Sequence, residues 1–231
     1  MKNLKSVLAI AILSASAVTA YAQENQQRFK ITPLAEMTTE QKKYFNDMMA
    51  GPVSGTGSAG VVQGATSLGA PFNVYLRSPL LADKLRQVGE HIRFKSSLPT
   101  KLNELAILVT ARHWTAQYEW FAHHRLAVKA GLDPAIAAQI AEGKKPTGMS
   151  PEEEAIYNFS HELHTDHGVS DATFKAVVDK FGEQGAVDLI AVNGYYVFVS
   201  MILNVDRSPL PKGVPLQLAP LPAGHAQHMS K

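Results

Sequence analysis

The 231-residue chain contains no cysteine. That absence excludes disulfides, thiol nucleophiles, thiolate metal ligands and thiol peroxidase chemistry within the chain. Stability has to come from packing, to which oligomerisation can add, rather than from cross-links. An excess of charge of one sign is also lacking, since the formal net charge is only +2. No basic stripe runs along any segment, so nothing points to nucleic acid. No stretch of any length alternates apolar and polar residues as a half-buried strand does. There is no glycine-rich phosphate loop, no dinucleotide-binding fingerprint and no serine elbow, and so no cofactor is implied. Residues 51–69 hold several glycines, but at the wrong spacing and without a following Lys-Ser/Thr.

The N-terminus has the composition of a secretory leader. Lys2 and Lys5 precede an apolar run, residues 7–18, broken only by Ser14 and Ser16. Ala20-Tyr21-Ala22 has the small-x-small pattern of a signal-peptidase site. The run is too short for a membrane span. Residues 1–22 are therefore expected to be a signal peptide, giving a periplasmic or secreted protein with no membrane association after cleavage. Loss of Lys2 and Lys5 leaves 20 basic against 20 acidic residues, a formal charge of zero. Three further divisions are expected: residues 23–70, an N-terminal helix and a Gly/Ser-rich loop; 71–206, a helical domain; and 207–231, a proline-rich tail.

Helical signals fill the rest. Thr38 with Gln41 forms a capping-box pattern before a helix over 39–50. Ser78-Pro79 opens a helix to about Phe94, with Leu80, Leu81, Leu85, Val88 and Ile92 as its apolar face. Further helices are expected over 99–114 and 116–130, the second stopped by Gly131. Asp133-Pro134 caps a short helix ending near Gly143. Ser150-Pro151-Glu152-Glu153 starts another, to about His164. Ser170-Asp171 begins a helix that Gly182 ends. The last helix, 184–205, is apolar around most of its circumference, which marks a central helix or one lying against another subunit. The tail from Pro209 is expected as an extended arm. The fold class is all-α.

Within this pattern, residues 102–132 place Glu104, Glu119 and His123 where apolar side chains would be expected. Glu104 lies on a helix line that continues through Leu108 and Ala111. Glu119 and His123 are four residues apart and can meet on one helix face. A carboxylate raises the proton affinity of a nearby imidazole, and apolar walls raise the carboxylate's own pKa. Such a set suits general acid–base work. A boundary ion pair has the same spacing. His124 points about 100° away from His123 around the helix, toward solvent or a neighbouring subunit. His113 ends its helix, where the dipole favours an imidazolium. His161, His164 and His167 are spaced by three, as metal ligands can be. Tyr195 and Tyr196 suit a core or a pocket wall.

Four segments together resemble one family. They are RSPLLADKLRQVGEHIRFKSSLPTKLNELAIL, YEWFAHHRLAVKAGL, SPEEEAIYNFSHELHTDHGVSDATFKAVVDKFG and DLIAVNGYYVFVSMILNV, all lying within residues 71–205. In order and spacing they resemble the carboxymuconolactone decarboxylase family, which includes the alkylhydroperoxidase D-like proteins. The resemblance implies an all-helical bundle assembled into dimers, trimers or hexamers, with sites near subunit interfaces. Redox members share a Glu, then Cys-x-x-Cys, then a His four residues after the second Cys. Here Glu104 and His123 match that Glu and that His, while Ala116 and Glu119 stand at the cysteine positions. The chain resembles a cysteine-free branch carrying Glu-Trp-x-x-His, here Glu119-Trp120-Phe121-Ala122-His123. The implied activity is decarboxylation, lactone or proton-transfer chemistry on a small carboxylated molecule. His123 would be the acid or base, Glu119 would tune it, and Glu104 would be a second proton carrier. Tyr118, Trp120, His124 and Tyr195 would contact the substrate. Two other readings stand beside this one: a non-catalytic binding or assembly module, and a metal site built from Glu119, His123 and a histidine near His161.

Overall fold

A computed structural model describes residues 26–219. The expected signal peptide lies outside them. The described residues are helical and contain no strand. The α-helices are α1 (Thr39–Ala50), α2 (Phe72–Tyr75), α3 (Pro79–Phe94), α4 (Thr100–His113), α5 (Gln117–Lys129), α6 (Pro134–Ala141), α7 (Pro151–Thr165) and α8 (Asp171–Asp206).

The local signals act through identifiable bonds. Thr38 Oγ1 accepts from the Gln41 amide, and the Gln41 side chain accepts from the Thr38 amide. Ser150 and Glu153 close the same reciprocal pair at α7. Each satisfies two of the amide donors that a helix start leaves unpaired. Asp133 accepts from the Ala135 amide at the start of α6. Gly182 sits at φ 69° and ψ 178°, so α8 is two helical segments joined at a kink. A left-handed φ of that kind suits a residue without a Cβ.

The central element is α4. Every residue from Leu102 to Arg112 is buried, because α5, α6, α7 and α8 all pack around this one helix. Of the two positions expected for the last helix, central or against another subunit, the central one is taken by α4 instead. The second segment of α8 buries one stripe, Leu189, Val192, Tyr196, Val199 and Leu203, at the three- and four-residue spacing of a helix face. Val187, Ile190, Met201 and Val205 lie on its exposed side. The α3 face is corrected as well. Leu80, Leu81 and Val88 are exposed, at 76%, 47% and 48%. The buried stripe is Ala82, Gly89 and Ile92, and small residues there allow close packing. At Gly89 a Cβ would lie 2.4 Å from Tyr195 Oη.

Residues 51–69 are more built than the loop expected from composition. A 3₁₀ turn, Pro52–Thr56, is followed by turns whose Val61 and Leu68 are buried. With Tyr44, Phe45 and Met48 of α1 and Tyr75 and Leu76 they form a second apolar cluster, edged by Phe198 and Ile202 of α8. The N-terminal segment therefore packs on the same body as the later helices. The tail from Pro209 is non-helical to residue 219. It is anchored by the Gln117 side chain, whose Oε1 accepts from the amides of Gln217 and Leu218 and whose Nε2 donates to the Leu218 carbonyl.

A buried polar network fixes α4, α7 and α8 to each other. Thr110 Oγ1 donates to Asn193 Oδ1, and Asn193 Nδ2 donates to Ser160 Oγ and to the Leu189 carbonyl. His164 Nε2 lies 2.9 Å from Thr110 Oγ1.

Candidate active site

The turn between α4 and α5 sets the site. The Ala116 amide donates to the Ala111 carbonyl, and Thr115 takes a left-handed φ of 46°. β-Branched residues are rare in that region, and such strain gathers where surrounding structure dictates the backbone. The turn brings the first two turns of α5 against α4. Glu119 and His123 of α5 then face Glu104 of α4.

The three groups converge. His123 Nδ1 lies 2.6 Å from Glu104 Oε2. His123 Nε2 lies 3.2 Å from Glu119 Oε1. Glu104, Glu119 and His123 are 6%, 2% and 6% exposed, so solvent does little to screen them. Glu119 Oε1 is out of hydrogen-bonding geometry and has no hydrogen-bond partner among the described residues. Burial holds the Glu119 carboxyl above its ordinary value of 4.5; His123 and Arg93 oppose that shift, and Glu104 adds to it. Tyr196 meets the His123 ring edge-on, with centroids 4.9 Å apart.

Glu119 and His123 open onto a cavity of about 60 Å³. Tyr118, Tyr195 and Tyr196 form part of its wall, and burial pushes the Tyr195 phenol up to about 12. Arg86, Glu90 and Arg93 of α3 also line it. Arg86 is bound to Asp83 and Glu90. Arg93 lies against the Phe94 ring, and its buried Nε has no hydrogen-bond partner among the described residues. Glu104 is not in this lining. It borders a separate cleft that Arg93 shares, lined also by Thr100, Lys101 and Lys129. The imidazole thus sits between a carboxylate on the cavity side and another on the cleft side.

The remaining expected residues fall as follows. Tyr118 and Tyr195 line the cavity. Trp120 is 2% exposed and belongs to the core. His124 stacks on Trp120 at 5.8 Å, half-buried, so it is neither in the cavity lining nor fully in solvent. Burial lowers its pKa. His113 stacks on His164 at 5.0 Å rather than only capping its helix. His161 is exposed and stacked on Tyr157 at 5.6 Å, in a cavity that shares no lining residue with the His123 site. The metal site expected from Glu119, His123 and a histidine near His161 is therefore not assembled. No group of three or more His, Asp or Glu among the described residues is placed to hold a metal ion.

Sequence reasoning missed Arg86, Glu90 and Arg93. They lie at i, i+4 and i+7 on α3, a polar stripe beside the apolar one, and such a stripe reads as a solvated helix face. No family model matches the chain, and no curated protein matches it.

Proposed function

We propose that this chain is an exported, oligomeric acid–base enzyme of the carboxymuconolactone decarboxylase type. It would act on a small carboxylated or lactone-like molecule by decarboxylation or proton transfer, without thiols. The observation that carries this reading is the convergence of Glu104 and Glu119 on the two ring nitrogens of His123, with Glu119 and His123 at the wall of one cavity.

In this reading Glu104 accepts from His123 Nδ1–H and holds the imidazole in one tautomer, with Nε2 turned to Glu119. Glu119, held above the usual carboxylate range by burial, keeps its proton more readily than a surface acid. The pair then carries one proton between Glu119 and His123 Nε2, at the edge of the cavity. Arg93 supplies a positive charge for a substrate carboxylate. In decarboxylation the carbon–carbon bond to the carboxylate breaks, its electron pair passes into an enolate, and Nε2–H protonates the carbon that lost CO2. Glu119, which faces Nε2 and takes a proton up from the cavity, returns it to that nitrogen, while Nδ1–H stays on Glu104. General acid–base groups placed in this way contribute about 10²–10⁴-fold. Exposed Leu80 and Leu81 on α3 and exposed Val187 and Ile190 on α8 are apolar surface that assembly with further copies would cover.

The test is solvent exchange. γ-Lactone and β-keto carboxylate substrates in D2O, followed by proton NMR, should lose signal at the carbon next to the carbonyl in the presence of protein. His123→Gln should slow this by about 100-fold or more while leaving the melting temperature nearly unchanged. Exchange that is equally fast in His123→Gln, or a variant changed only in stability or assembly, would refute the reading.

A further inference from the structure

A second cavity, of about 130 Å³, is lined by residues of α4 and α7 and by the α6 end with the turn after it. It shares no lining residue with the His123 cavity. Its lining contains Arg112, His113, Lys144, His161 and His164, and no Asp or Glu. Val109, Ile140 and Tyr157 supply an apolar wall. Outside the lining, Glu142 meets Lys144 at 2.6 Å on the exposed rim, and Glu162 is bound to Thr173 and the Ser170 amide.

Arg112 is the feature that demands explanation. It is 6% exposed. Its Nη1 donates to the carbonyls of Ala141 and Ala219. Its Nε is buried and has no hydrogen-bond partner among the described residues. No Asp or Glu among the described residues forms an ion pair with it. Carbonyls satisfy donors but do not neutralise a charge. A buried guanidinium without a counter-anion is strongly disfavoured, because the desolvation of the ion is not offset. The planar fork of guanidinium donors matches a carboxylate. The neighbouring rings stack in two pairs, His113 on His164 and Tyr157 on His161, which leaves flat surfaces suited to a flat apolar body.

We propose that this cavity binds a small organic monocarboxylate, its carboxylate on Arg112 and its apolar body against Val109, Ile140 and Tyr157. The site is independent of the His123 chemistry. The probe is benzoate, titrated calorimetrically into the full-length chain, with benzamide as the uncharged control. Benzoate should bind saturably, and benzamide about tenfold or more weaker, because only the charged probe pairs with the guanidinium. Arg112→Met should weaken benzoate by about tenfold or more. Because Arg112 also holds two backbone carbonyls, His161→Ala is the second variant; it removes an exposed ring and should weaken binding at least about threefold, since stacked rings contribute modestly. Arg93→Met, whose side chain lines the His123 cavity and the cleft beside Glu104 but not this cavity, should leave the affinity at Arg112 unchanged. The proposal is overturned if benzoate does not saturate, if benzamide binds equally well, if both Arg112→Met and His161→Ala bind as the parent does, or if Arg93→Met abolishes the signal. It is equally overturned if benzoate binds only after residues 220–231 are removed, which would give the site to the chain's own tail.

Discussion

Changing Glu119 to glutamine should make the protein more stable and less active. Two carboxylates surround one imidazole, and the Glu119 carboxyl is 2% exposed, with Oε1 lacking a hydrogen-bond partner among the described residues. An orphaned buried acceptor costs about 1–3 kcal/mol. Attraction to His123 at 3.2 Å offsets part of this, but burial dominates, since it raises the Glu119 pKa above 4.5 against the pull of His123 and Arg93. The folded state therefore binds the proton more tightly than the unfolded chain. Stability falls as pH rises from about 4.5 through the raised folded value, and the penalty is complete above it. Glutamine keeps the shape and removes the charge. The expected gain at pH 7.5 is about 1–2 kcal/mol, or roughly 2–8 °C in melting temperature for a chain of this size. Below pH 4.5 both proteins carry an uncharged group and the difference should vanish. Urea unfolding of both proteins at pH 4 and pH 7.5 measures it, with solvent exchange measured in parallel. A variant less stable by about 1 kcal/mol at pH 7.5, or a gain of equal size at both pH values, would refute the account of Glu119 as a strained, functionally retained acid.

Three further outcomes are expected. Gly89→Ala puts a Cβ 2.4 Å from Tyr195 Oη; displacing that ring should cost about 1–3 kcal/mol and reduce kcat/KM, read by thermal melting and by the exchange assay. Asn193→Ala removes the donor to Ser160 Oγ and one of the partners of Thr110, which keeps the Ala106 carbonyl and His164, and should cost about 1–3 kcal/mol by urea unfolding; a loss under about 0.5 kcal/mol would mean that the network contributes little. His164 is held down to about 4, by burial first and by His113 second, so the unfolded chain binds the extra proton between about pH 6.5 and pH 4. Stability is lost as pH falls through that window, by up to about 3 kcal/mol. His164→Gln should lack this acid loss when unfolding is followed from pH 7 to pH 4.

Much of the helical pattern was legible because its signals are local. The reciprocal bonds of Thr38 with Gln41 and of Ser150 with Glu153 need only four consecutive residues. The i, i+4 relation of Glu119 and His123 is likewise a property of one helix. Which apolar stripe goes inside is not local. Leu80 and Val88 have helical spacing, yet Ala82 and Gly89 were buried instead: Gly89 lies against the bulky Tyr195 of α8, where only a small residue fits, and Ala82 joins the apolar cluster of α1. Arg93 was invisible for the same reason: a charged residue on an amphipathic helix has no address until a neighbouring helix closes a cavity over it.

Sequence alone settled the helical character of the chain, the sites where helices start, and the impossibility of sulfur chemistry. All three follow from residue identity and near-neighbour bonding. Tertiary structure decided that Glu104, nineteen positions before His123, lies at its Nδ1, that His164 joins α4 rather than the Glu119 site, and that Arg112 is buried without a counter-charge. Those facts depend on how separate helices pack, and packing is set by the summed shape and burial of many side chains rather than by any short run of them.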